Sequence, residues 1–158
     1  MAKVTGGLPS LLIFVALVLG GGTAIGLLTG PGEWYAGLHK PSFAPPNWVF
    51  APVWTVLYLM IAVAGWLVWH SAAPGRSALL LLWGLQLILN FLWSPLFFGV
   101  HRIGMAFVDI VALLAVIVMF MVLAQRAGQG RVVWLMAPYA AWVGFATLLN
   151  GAYERLNG

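Results

Sequence analysis

Charge is what this chain has least of. Only 6% of its 158 residues are Asp, Glu, Lys or Arg, while 63% are hydrophobic. A soluble domain carries roughly 25% charged residues, so these few cannot cover a water-exposed globule, and the solvent the chain is built for is lipid. Cysteine is absent, which excludes disulfides and thiolate metal sites. The net charge of +4 comes from seven Lys and Arg scattered along the chain, without the clustered basic face that nucleic-acid binding requires. The acidic residues Glu33, Asp109 and Glu154 form no evident carboxylate dyad. Nucleophile motifs, glycine-rich phosphate cradles and metal-spaced clusters are also missing, so hydrolase, kinase and metal-site readings have no support.

What is present is five apolar runs, at about 8–29, 47–70, 78–99, 104–125 and 133–152. Each is near the roughly 20 residues a helix needs to cross the hydrocarbon core. None alternates with the period of two that barrel strands show. The expected fold is all-α: an integral membrane protein whose single domain, 1–158, is a bundle of five transmembrane helices. The short connections after the first loop predict that consecutive helices are antiparallel neighbours. The first run follows Lys3 and is read as a retained span, not a cleaved signal. Gly22, Gly26 and Gly30 on it have small-xxx-small spacing, which serves either packing inside the monomer or a dimer seam. Lys3, Arg76, Arg126 and Arg131 fall on one side of the membrane, called side A here; Lys40, Arg102 and Arg155 fall on side B. That balance is too even for the positive-inside rule to set an orientation.

The stretch KPSFAPPNWVFAPVWTVLY, 40–58, stands out between the first two spans on side B. Its prolines Pro41, Pro45 and Pro46 restrict the loop and lower the entropy lost on ordering it. Asn47 is placed to cap the entering helix, and Pro52 to start it late or bend its first turns. The segment 30–46 is therefore expected to be an ordered lid, with Trp34, Phe43 and Trp48 closing over the mouth of a pocket. Counting 1.5 Å per residue from side B puts Trp54, Trp93, Asp109 and Ala146 about 8–9 Å deep, and Tyr58, Asn90 and Trp142 about 13–15 Å deep. Helical phase sets Phe50, Trp54 and Tyr58 on one face, Gln86, Asn90 and Trp93 on a second, and Trp142, Ala146, Leu149 and Tyr153 on a third. Polar groups in hydrocarbon face the bundle interior. These stripes thus predict an aromatic wall with a few amide and phenol groups, the usual makeup of a small-molecule site. Packing is the competing role for the deep tryptophans, and Asn90 or Asp109 are equally suited to bonding across helices. Trp66, Trp69 and Trp134 are interface anchors. His39, His70 and His101 lie at span ends, where haem ligation stands against the ordinary role of interfacial histidines.

The runs WYAGLHKPSFAPPNWVFAPVWTVLY (34–58), QLILNFLWSPLFFG (86–99) and PYAAWVGFATLLN (138–150) resemble the TspO/MBR family, that of tryptophan-rich sensory proteins and the mitochondrial translocator protein, a peripheral-type benzodiazepine receptor. The resemblance covers about 34–155; Phe43 stands where many members carry tryptophan. It implies a five-helix bundle, commonly a homodimer, that binds porphyrins (protoporphyrin or haem), sterols and benzodiazepine-type compounds as ligands, with no required cofactor. Ligand-binding residues implied by motif position are Tyr35, Phe50, Trp54, Tyr58, Asn90, Trp93, Trp142, Ala146 and Leu149. Trp54 and Trp142 match tryptophans implicated in light-dependent porphyrin degradation by some bacterial members. Leu149, Tyr153 and Arg155 satisfy the loose cholesterol-recognition pattern. Three functions follow as expectations: a receptor or sensor for tetrapyrroles, a light- and oxygen-dependent porphyrin-degrading enzyme, and a tetrapyrrole or sterol transporter. Binding is favoured, since the features found are pocket features. A bacterial chain is the expectation, and composition does not separate inner from outer membrane.

Overall fold

The structure, a computed structural model, describes residues 7–158; Lys3 lies outside them. Among the described residues five helices are long and apolar enough to cross a membrane: Gly7–Leu28, Asn47–Trp69, Arg76–Gly99, Ile103–Arg126 and Gly130–Asn157, called spans 1 to 5. The protein is an all-helical integral membrane protein, with no strand among the described residues. In hydrocarbon every backbone group needs an internal partner, which leaves the helix as the way for such runs to cross. The breaks between spans follow local chemistry. Gly75 (φ 76) and Gly128 (φ 74) take left-handed backbone that costs glycine little. Gly128 closes span 4 by donating to the Gln125 carbonyl at 3.1 Å.

Spans 4 and 5 pack together most extensively, span 4 also packs on span 3, and span 5 on span 2. Span 1 lies against span 2 and, through its second half, against span 3. The order around the bundle is therefore 1, 2, 5, 4, 3. Consecutive spans are neighbours except that spans 2 and 3 touch less, because span 5 sits beside span 2.

Two helices change pitch. Residues Ala16–Gly20 of span 1 and Pro95–Gly99 of span 3 are π-helical. Pro95 lacks an N–H, so its turn has no bond to lose there, and Val100 N–H reaches the Pro95 carbonyl at 2.9 Å. The main core is largely aliphatic and runs along spans 2 to 5 with Val18 of span 1; a second, ring-rich cluster lies at side B. Gly22 faces inward, where a Cβ would strike the Tyr58 ring, so close packing at this glycine is used within the monomer. Gly26 has open space instead.

Span 2 enters differently from the expected Asn47 cap. Its first turn, Asn47–Val49, is a 3-10 turn preceded by extended Pro46 (ψ 146), and no side chain caps it. Val49 N–H bonds the Pro46 carbonyl at 3.0 Å, so the proline-set backbone closes the turn and leaves the Asn47 side chain exposed. Pro52 falls in the first α-turn, where an N–H has no intrahelical partner to give up. Span 5 continues to Asn157, past the expected end at 152, because its last turn holds the first loop. Asn157 Oδ1 accepts from His39 N–H at 2.8 Å and its Nδ2 donates to the His39 carbonyl at 3.0 Å.

Candidate ligand-binding site

Three layers run from the middle of the bundle to side B, the deepest of them polar. Tyr58 of span 2 donates to Asn90 Oδ1 at 3.0 Å, and Asn90 Nδ2 donates to the Tyr139 hydroxyl at 2.9 Å. Tyr139 in turn donates to Gln86 Oε1 at 2.8 Å. Spans 2, 3 and 5 are thereby linked by one chain of bonds that leaves no hydroxyl idle. Gln86, Asn90 and Tyr139 are all buried, and an interhelical bond of this kind contributes about 0.6 to 1.7 kcal/mol.

Above this base stand rings from spans 2 and 5. Trp54 lies 5.1 Å from Tyr58 and 6.3 Å from Tyr139 between ring centroids. Phe50 meets Trp142 edge-on at 5.8 Å, and Trp142 lies 5.6 Å from Phe145. Ala146 packs against the main core beside them. The Trp142 indole Nε1 is buried and has no hydrogen-bond partner. A buried N–H normally finds an acceptor; among the described residues Gln86 Nε2, Asp109 Oδ2 and Gln129 Nε2 are also buried without a partner.

The third layer joins the first loop to the bundle. Tyr35, on the short helix Glu33–Ala36, shares a 2.8 Å hydroxyl–hydroxyl hydrogen bond with Tyr153. Phe97 sits at the centre, with Trp93 stacked on it at 5.0 Å and Tyr35, Phe98, Trp34 and Tyr153 around it. Trp93 Nε1 donates to Asn150 Oδ1 at 2.9 Å, and Asn150 Nδ2 to the Ile103 carbonyl at 3.1 Å. Leu149 is buried in the same cluster.

The sequence-derived residues thus separate into groups. Phe50, Trp54, Tyr58, Trp142 and Ala146 line the interface of spans 2 and 5, with Asn90 at their base. Tyr35, Leu149 and Trp93 belong to the ring cluster under the loop, Trp93 touching both cores. The three lid aromatics do not meet. Trp34 stacks on His101 at 4.1 Å, Phe43 leans edge-on against Phe145 at 6.3 Å, and Trp48 is 75% exposed. Of the sterol pattern, Leu149 and Tyr153 point into the core while Arg155 is exposed, so the three share no surface. Asp109 is buried with its Oδ2 unpartnered, so between the two candidates for cross-helix bonding Asn90 is the one that bonds on both amide atoms. Groups of three or more His, Cys, Asp or Glu that could hold a metal are absent among the described residues. Tyr139, Phe97, Phe145 and Asn150 did not emerge as candidates from the sequence. Helical spacing was the available signal for two of them, since Tyr139 and Asn150 are polar residues deep in span 5 that fall one turn from Trp142 and Ala146.

Residues 14–156 match the sequence profile of the TspO/MBR family. The chain belongs to the TspO/MBR family. It is 40% identical over 124 residues to the tryptophan-rich protein TspO of Archaeoglobus fulgidus, covering 78% of this chain and 80% of that protein. With protein CrtK of Rhodobacter capsulatus it shares 36% identity over 150 residues, 91% of this chain and 89% of the relative. The human translocator protein is 36% identical over 137 residues, 79% of this chain and 75% of its own. TspO/MBR membership accounts for the five-span architecture. Within this TspO/MBR chain the layered side-B geometry is where chemistry other than lipid packing is concentrated.

Proposed function

We propose that this protein is a membrane receptor or sensor for flat, hydrophobic ligands of the tetrapyrrole class, protoporphyrin or haem, bound between spans 2 and 5 on side B. The observation that carries this reading is the Trp142 indole N–H, buried without an acceptor among Phe50 and Phe145. A ring system that slides between these aromatics gains stacking on both faces and offers a carbonyl or carboxylate to that N–H. The rings now pack on one another, so entry parts them, with the first loop as the door. A relative is named tryptophan-rich sensory protein, which agrees with sensing. Sterols and benzodiazepine-type compounds are secondary ligands of the same wall, and a homodimer is the proposed assembly.

A second reading has one observation in its favour. Trp54, Tyr58 and Tyr139 form a chain of oxidisable rings next to the proposed ligand position, as light- and oxygen-dependent breakdown of porphyrin would use. The test is a dark titration of detergent-purified protein with protoporphyrin, followed through tryptophan emission, for wild type, Asn90→Ala and Trp142→Phe. Saturable quenching that weakens in both variants supports the receptor reading. Quenching that never saturates sinks it. Illumination afterwards separates the two readings: new absorption bands that wild type gives and Trp142→Phe loses make the protein an enzyme, and an unchanged spectrum leaves it a receptor.

A further inference from the structure

We propose that side A carries a second site, a groove for one acyl chain of an anionic phospholipid whose phosphate is held by Arg76. The groove has a volume of about 300 Å³ and lies between the first half of span 1 and the start of span 3. Phe14, Leu17, Trp69, Leu80, Trp83 and Gly84 form its walls. They are apolar throughout, as a methylene chain requires.

The walls are fixed before any lipid arrives. Trp83 donates its Nε1 to the Ile61 carbonyl at 3.0 Å and packs on Gly65, where a Cβ would meet the indole. Phe14 rests on Trp83 at 5.2 Å and on Trp69 at 6.4 Å. Leu17 is in the π-helical turn of span 1. Around the opening the surface is lipid-facing, with Ile13 68% and Leu81 75% exposed. At Gly84 no atom stands within 4 Å of where a Cβ would be, so the floor is open.

The mouth of the groove is charged. Arg76 begins span 3, and its guanidinium lies 5.2 Å above the Trp69 ring. Gly84 is about 12 Å further along the helix, so the groove runs from the headgroup level into the hydrocarbon. A guanidinium held over an aromatic face keeps its N–H fork for a phosphate. Side A has Arg76, Arg126 and Arg131 and no Asp or Glu among the described residues, whereas side B balances Lys40, Arg102 and Arg155 with Glu33 and Glu154. Arg76, the arginine at the mouth, selects an anionic headgroup over a zwitterionic one, a Lys or Arg near an anionic surface adding about 1 kcal/mol, a factor of roughly five. A second copy of the chain would bring no anionic group to Arg76, since side A has no Asp or Glu among the described residues.

The test is native mass spectrometry of the intact protein released from detergent, titrated with palmitoyl-oleoyl phosphatidylglycerol or with the phosphatidylcholine of the same chains. Wild type should take one phosphatidylglycerol saturably, about fivefold more tightly than phosphatidylcholine. Arg76→Gln should erase the preference, Gly84→Leu should lose the adduct of either lipid, and Arg131→Gln should change neither. Arg76 is on the surface, so its variant decides the matter even where Gly84→Leu lowers stability. Equal affinity of wild type for both lipids overturns the proposal. So does an equal effect of Arg131→Gln, which would make the attraction general to side A, or a Gly84→Leu variant that alters the oligomeric state and keeps its lipid.

Discussion

The two ends of the bundle solve the same problem differently. At side A the polar bonds are short-range ties between neighbours: Trp66 Nε1 to the Gly7 carbonyl at 3.1 Å, and Trp83 Nε1 to the Ile61 carbonyl at 3.0 Å. The space left between spans 1 and 3 opens to lipid. At side B the bonds cross several spans and reach the loop, through Tyr58, Asn90, Tyr139 and Gln86 and again through Tyr35, Tyr153 and Asn157. Helices in lipid gain little from hydrophobicity when they associate. Hydrogen bonds and close packing supply the cohesion instead, and the side-B bonds tie several spans and the loop together. The contrast agrees with the proposal that recognition belongs to side B and lipid anchorage to side A.

The strongest way to break this contrast is to remove the centre of the side-B cluster. Phe97→Ala should cost about 3 kcal/mol and raise amide exchange over the helix Glu33–Ala36, whose Trp34 and Tyr35 rest on that ring; exchange confined to span 3 would show that the loop is held by other means. On side A, Gly65→Val drives a side chain into Trp83 and should cost about 2 kcal/mol, with exchange in the loop unchanged. Tyr139→Phe removes two hydrogen bonds while keeping the ring, and denaturation in mixed micelles should register about 1 kcal/mol. Trp48→Ala marks the lower limit. With its ring exposed, it should shift stability by less than about 0.5 kcal/mol, and a larger loss would reveal a contact that Trp48 makes with the bundle.

Much of this architecture was legible from residue order. Five apolar runs separated by Gly, Pro and charge left little freedom in where helices begin, since hydrocarbon tolerates no unpaired backbone. The Asn90 stripe was legible because amides far from either membrane surface, Gln86 and Asn90, have to face inward. The ring order 1, 2, 5, 4, 3 had no local signal; it arises from packing among faces that are all apolar, which hydropathy does not distinguish. The fate of Trp34, Phe43 and Trp48 was hidden for a similar reason. Loop composition shows that prolines stiffen the segment, but the ring that Trp34 meets is His101, a residue of another turn whose φ of 57 aims it there. Asn47 was misread because a cap signal assumes the helix starts with an α-turn, and Pro46 sets a 3-10 turn instead.

The measurement that bears most directly on the division of labour is a dark protoporphyrin titration of three proteins side by side: wild type, Ala146→Trp in the side-B wall and Gly84→Leu in the side-A groove. The account predicts saturable binding to wild type, unchanged in Gly84→Leu and weakened at least about tenfold, roughly 1.4 kcal/mol, in Ala146→Trp. Binding lost in Gly84→Leu and kept in Ala146→Trp would contradict it, and would move ligand recognition to the lipid-facing groove of spans 1 and 3.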